Sequence, residues 1–143
     1  MQTKSLSIDA PSTRSGRIVL ALAASRTALG VVFLARPRLL PALLRVDPTT
    51  STTMAWAMRM VGGREIALGL GTVAGIVVTP TPAGKRTWLA AGLFSDSTDT
   101  IALATAAKTG VLDRRPALIV AASAGALAAT EVILLARKAS HDT

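Results

Sequence analysis

A chain of 143 residues is enough for one domain and not comfortably for two. Half of the residues are hydrophobic and mean hydropathy is +0.49, yet aromatics make up only 3% and Tyr is absent, so the apolar content is the Ala, Leu, Val, Ile and Gly of closely packed membrane helices and not an aromatic-rich soluble core. The net charge of +8 argues for headgroup anchoring and against nucleic acid, because the flanking basic residues (Arg14 and Arg17, Arg36 and Arg38, Lys85 and Arg86, Arg114 and Arg115, Arg137 and Lys138) fall at the ends of apolar segments and few aromatics are present to stack bases.

Residues 1–16 are polar and rich in Ser, Thr and Pro, and read as a mobile tail. A first transmembrane helix is predicted over 18–35. Ala21-Leu22-Ala23 after two arginines resembles a signal-peptide cleavage site, but the apolar run before it is short and apolar character resumes through Val31, Val32, Phe33 and Leu34. A retained helix is therefore expected. Pro37 ends it, and the segment from Arg38 to Arg45, with charged ends around apolar bulk, suits the membrane interface. Asp47-Pro48 turns the chain, and Ser51, Thr52 or Thr53 is placed to cap the next helix.

The second helix is predicted over 54–78, with Trp56 at headgroup depth, and Pro80 and Pro82 stop it. The third is predicted over 86–107, again with a Trp, Trp88, near its start. A charged turn from Lys108 to Arg115 contains Gly110, and Pro116 opens a fourth helix over 116–136. Each span approaches the roughly 20 residues needed to cross hydrocarbon. The fold expected is an all-α, four-helix transmembrane bundle occupying 17–138, with a C-terminal tail over 139–143. Gly71 and Gly75, and Ala121, Gly125 and Ala129, repeat small residues every four positions, which lets helix backbones approach. Packing within the chain is favoured over dimerisation by these faces. Gly62-Gly63 reads the same way, as close packing against helix 1 or helix 3.

Four spans put both termini and the Lys85-Arg86 loop on one side. That side carries Lys4, Arg14, Arg17, Lys85, Arg86, Arg137 and Lys138, against Arg36, Arg38, Arg45, Lys108, Arg114 and Arg115 on the other. This near balance leaves orientation to the N-terminal tail, which lacks a convincing signal; the termini are placed in the cytoplasm.

Seven ionisable residues fall inside the predicted spans: Arg26, Arg59, Arg64, Glu65, Asp96, Asp99 and Glu131. Each costs about 2.5–3.5 kcal/mol near the membrane centre if isolated, so they must face the bundle interior, a wet cavity or one another. Counting about 1.5 Å per residue from the predicted helix ends matches Arg64 with Asp96 and Arg59 with Asp99. Arg26 comes within reach of Glu131 or Asp96, and Glu65 is left with Arg26 as its partner or with a proton. Asp96 and Asp99, three apart, share one helix face, with Ser95, Ser97, Thr98 and Thr100 around them. Such a ladder either locks helix register or lines a polar site for a ligand, ion or proton.

The run Arg59-x-x-Gly62-Gly63-Arg64-Glu65-x-x-x-Gly69, followed by Trp88 and Asp96-x-x-Asp99, resembles a pattern in small four-helix membrane proteins of actinobacteria, a domain-of-unknown-function group similar in layout to the DoxX-like proteins. The resemblance covers residues 18–103; the fourth helix shares only its apolar character. It implies a four-helix membrane fold with the charged motif as signature and supplies no reaction. Some DoxX-type proteins are associated with membrane redox assemblies.

The chain has no Cys, and its only His, His141, lies in the polar tail. Thiol chemistry, iron–sulfur clusters, His-ligated haem and His-containing metal sites are excluded, so no cofactor or metal is expected, and any redox role is an accessory one. No nucleophile–base pair is recognisable, and an enzyme is not expected. The expected function is that of an accessory or scaffold subunit of a membrane assembly, with the bilayer and a membrane protein or a second copy as partners. The alternative is binding or proton-coupled transport of a small polar, quinone-like or lipidic molecule through the charged cluster.

Overall fold

The computed structural model describes residues 14–78 and 82–136, apart from the side chain of Pro82. The described residues form six helices and no strand: α1 (Arg14–Ala35), α2 (Leu39–Leu43), α3 (Pro48–Thr53), α4 (Ala55–Val77), α5 (Pro82–Thr109) and α6 (Arg114–Ala136). Three of them, α1, α4 and α6, are long and apolar enough to cross a membrane. The longest, α5, has 28 residues but carries Lys85, Arg86, Asp96, Asp99 and Lys108 along its length.

Helix boundaries follow local chemistry, and several differ from those expected. The Arg14–Gly16 end of the expected tail is the first turn of α1, while residues 1–13 and the C-terminal tail with His141 lie outside the described residues. Pro37 lacks an N–H, and α1 stops at Ala35, with Arg36 N donating to Val32 O at 2.7 Å to close the last turn. The segment from Arg38 to Arg45, expected at the membrane interface, contains the short helix α2. It ends in a Schellman arrangement: Val46 N donates to Pro41 O and Arg45 N to Ala42 O, with Arg45 at φ 57°. An arginine stands here where glycine is usual, and its guanidinium meets Asp113 at 3.0 Å, which ties the α2 turn to the start of α6.

Asp47-Pro48 does more than turn the chain. Asp47 caps α3, accepting from Thr49 N at 3.0 Å and Thr50 N at 2.9 Å, with Pro48 at the first helical position. The bonds from Thr50 and Thr49 hold the Asp47 carboxyl below the usual carboxylate range. Ser51, Thr52 and Thr53 therefore lie inside α3 and do not cap α4. Thr52 and Thr53 donate back to Pro48 O and Thr49 O, and α4 starts behind Met54 without a side-chain cap.

Pro82 opens α5 and does not merely stop α4, which ends at Val77; Pro80 lies outside the described residues. α5 thus begins one turn earlier than expected. It ends at Gly110, whose φ of 77° lets Val111 N reach Ala106 O at 3.0 Å. α6 starts at Arg114, two residues ahead of Pro116, with Asp113 accepting from Arg115 N.

The long helices pack antiparallel in two close pairs, α1 with α4 and α5 with α6, and α4 joins the pairs through α5. Glycines set these approaches. A Cβ at Gly62 would lie 2.8 Å from Gly30 O and 3.1 Å from Leu34 N, so α1 and α4 touch backbone to backbone. Gly71 and Gly75 form the groove that receives the Trp88 ring, with Gly84 across from Gly75. Trp88 is thus wedged between α4 and α5, whereas Trp56 is 63% exposed. Two apolar clusters close the ends of the bundle. Val19, Leu22, Leu89 and Leu134 join α1, α5 and α6, and Leu44, Ala107 and Ala117 join the α2 turn to α5 and α6. On α5, Leu89 and Ala107 bracket Asp96 and Asp99, so the charged residues occupy the layer between the clusters.

A candidate charged site between the helices

Arg26 is the centre of that layer. It is buried on α1, and its guanidinium reaches carboxylates on three other helices. Nη1 donates to Glu65 Oε2 of α4 at 2.7 Å, and Nη2 donates to Glu131 Oε1 of α6 at 2.9 Å and to Asp96 Oδ2 of α5. A forked donor with five N–H groups can serve several acceptors at once, which an ammonium cannot do with fixed geometry.

Glu65 passes the network on. Its second oxygen accepts from Arg64 Nη2 at 3.0 Å and Nε at 3.2 Å. Arg64 in turn grips Asp99 in a bidentate pair, Nη2 to Oδ2 at 2.6 Å and Nη1 to Oδ1 at 3.2 Å. The result is one continuous chain from Asp96 and Glu131 through Arg26, Glu65 and Arg64 to Asp99. It also grades outward: the Arg26 side chain is 3% exposed, while those of Arg64 and Asp99 are each 36% exposed.

Consecutive residues on a helix point about 100° apart, and this explains how neighbours serve different helices. Glu65 faces α1 and Arg64 faces α5. Asp96 and Asp99 share a face of α5 one rung apart and divide along its length, one to Arg26 and the other to Arg64.

The pairing differs from the sequence expectation by one rung. Arg64 meets Asp99 and not Asp96, and Arg59 meets no carboxylate among the described residues. Measured from the observed helix ends, Asp99 lies about 15 Å from the end of α5 and Arg64 about 14 Å from the start of α4, so these two share a depth. Asp96, three residues earlier, lies about 4.5 Å further from the end of α5, and Arg26 takes it. Arg59, only about 6 Å into α4, stays near the helix end, exposed beside Arg36 and Arg38. Glu65 meets Arg26, the partner expected for it.

Gly92 was not singled out in the sequence, yet it makes room for the network. A Cβ there would collide with Glu131 Oε1 and sit 3.1 Å from Arg26 Nη2. Its signal was its spacing: Gly92 lies one turn before Asp96 on the same face of α5. The expected packing glycines divide. Gly62, Gly71 and Gly75 lie in close helix contacts, and Gly125 faces Thr100 at an ordinary 3.7 Å. Gly63 points into open space, so the pair Gly62-Gly63 is half packing and half surface. On α6 the buried small residues are Ala117, Ala121 and Ala128, and Ala129 is exposed.

Two features remain. Four carboxylates meet two guanidiniums, which leaves two formal negative charges in excess if every group is ionised. Glu131, 1% exposed, has an Oε2 with no hydrogen-bond partner among the described residues, and the same holds for Ser95 Oγ. The carboxylates are turned toward arginines, and no cluster among the described residues has the arrangement of a metal site. No family model matches the chain, and no curated protein or solved structure matches it.

Proposed function

We propose that α1, α4, α5 and α6 cross the cell membrane as a four-helix bundle with cytoplasmic termini, and that the protein is an accessory or scaffold subunit of a larger membrane assembly. The observation that carries this reading is the closure of the charged network. Its groups pair across all four long helices, and the deepest of them, Arg26, Glu65, Asp96 and Glu131, are withdrawn from the surface. Ion pairs of this kind fix helix register and orientation where the apolar drive between helices is weak. A bundle held rigid from within leaves its outer faces, with exposed side chains such as Phe94, Met60 and Ile101, for lipid and for a membrane partner.

A second reading is supported by the carboxylate excess and the unpartnered Glu131 oxygen. In it the cluster holds one or two protons and exchanges them as a small molecule binds or crosses.

Native mass spectrometry of protein gently extracted from its own membranes, wild type beside the Asp96→Asn/Asp99→Asn variant, separates the two readings. A stable protein partner on both forms supports the subunit reading. A small bound species lost from a still-folded variant supports the second reading, and its mass gives the class. A wild type that carries neither contradicts both.

A further inference from the structure

Arg59 is left out of the network, and its surroundings give it another use. A cleft of about 740 Å³ opens where α1 ends, between α2 and the start of α4. Three arginines line it: Arg36 and Arg38 from the turn after α1, and Arg59 from the second turn of α4. All three are exposed, and none forms an ion pair among the described residues. No acidic side chain lines the cleft. The nearby acids are otherwise engaged, Asp47 at the cap of α3 and Asp113 with Arg45. Three guanidiniums crowded at one opening repel one another unless an anion joins them.

The walls indicate what kind of anion. Pro37, Leu39, Ala35 and Ala55 line the cleft beside the arginines, and Leu39 exposes its apolar side chain there. Trp56, 63% exposed, lies one turn from Arg59, as an aromatic at headgroup depth would. A guanidinium fork matches phosphate oxygens in pairs, and apolar side chains beside it suit glycerol and acyl carbons. We propose that the Arg36–Arg38–Arg59 cleft binds the headgroup of an anionic phospholipid carrying two phosphate charges. Arg59 supplies the contact deepest in the membrane, and Arg36 and Arg38 close over the headgroup from the turn. The proposal rests on α1 and α4 crossing the bilayer.

The full chain is reconstituted in phosphatidylcholine vesicles, recovered by flotation, and offered tetraoleoyl cardiolipin, phosphatidylglycerol or inorganic phosphate; lipid retained per protein is counted by native mass spectrometry. Cardiolipin retention is expected in the wild type, and Arg36→Gln/Arg38→Gln/Arg59→Gln lowers it on the order of a hundredfold, since each interfacial cation contributes about fivefold to attraction of anionic lipid. The control Lys108→Gln/Arg114→Gln/Arg115→Gln removes the same charge at the far end of α5 and keeps retention. Equal loss in both variants, or loss in neither, overturns the site. Competition by inorganic phosphate as effective as by cardiolipin overturns the lipid as its ligand. A chain that does not float with phosphatidylcholine vesicles overturns the membrane-spanning reading itself, and the site with it.

Discussion

Arg26 and Glu131 share a hydrogen bond, but their loss has unequal consequences. Removing the guanidinium in Arg26→Gln leaves Asp96 and Glu131 without a counter-charge and Glu65 with Arg64 alone. Loss of one partner from a buried charge network costs about 3–5 kcal/mol, and a fall of that size is expected in detergent-denaturation stability. Arg26→Lys does not restore it, because one ammonium cannot fork to three helices. Glu131→Gln removes one negative charge from a cluster already rich in them, at a side chain with one oxygen unpaired. It is expected to stay within about 1 kcal/mol of wild type. A loss in Glu131→Gln as large as in Arg26→Gln would show that all four carboxylates are ionised and needed. At this scale six of the seven expected charged residues come together, legible because unpaired charges inside apolar segments are costly wherever they lie, and Arg59 stays outside. Their pairing was less legible. A shift of one rung along α5 gives Arg64 Asp99 in place of Asp96 and leaves Arg59 without a carboxylate among the described residues, while Arg26 and Glu65 keep their expected partners; a proline serves equally well as a helix stop and as a first residue. Gly92 stayed hidden because nothing in its own neighbourhood names the carboxylate that approaches it from α6.

The helix pairs turn on which glycines face a neighbour. Gly62 and Gly63 are adjacent in sequence and opposite in consequence. Gly62→Ala drives a methyl against Gly30 O and Leu34 N, atoms of a helix backbone that cannot swing aside, so α1 and α4 must separate. The expected cost is about 1–3 kcal/mol. Gly63→Ala meets nothing within 4 Å and gains up to about 1 kcal/mol of helix propensity. Thermal unfolding of the two variants side by side checks the sign of each; a matching loss in both would place Gly63 in an interface. The long elements themselves were readable from apolar length and from Pro37, Pro82, Pro116 and Gly110. The short helix α3 was not, because Asp47-Pro48 signals a turn and a helix start with the same two residues, and the hydroxyls after it have alternative backbone partners.

Across the whole molecule, α5 decides the topology. It is long enough to span; Lys85, Arg86 and Lys108 lie near its ends, and the charges in its middle are the two aspartates that face Arg26 and Arg64. The chain has no Cys, so single cysteines report without background. Cysteines placed at the exposed ends of α5, Ala83→Cys and Thr109→Cys, are expected on opposite sides of the bilayer. An impermeant maleimide applied to intact cells then labels one and reaches the other only after permeabilisation. Labelling of both from the same side would make α5 a surface helix and reduce the spans to three.

The reach of Arg26 also bears on how the protein is made. Its partners arrive late, 39, 70 and 105 residues downstream. A ribosome that has delivered only α1 presents the insertion machinery with an apolar segment carrying a solitary cation, and relief begins when α4 follows. In the proposed bundle the first segment to enter is thus the last to be completed. The chain must be held together, or α1 must be kept close to the channel, until Glu131 has been translated. Assembly of the proposed bundle then extends to the end of synthesis, with α4, α5 and α6 each bringing one carboxylate to Arg26 in turn.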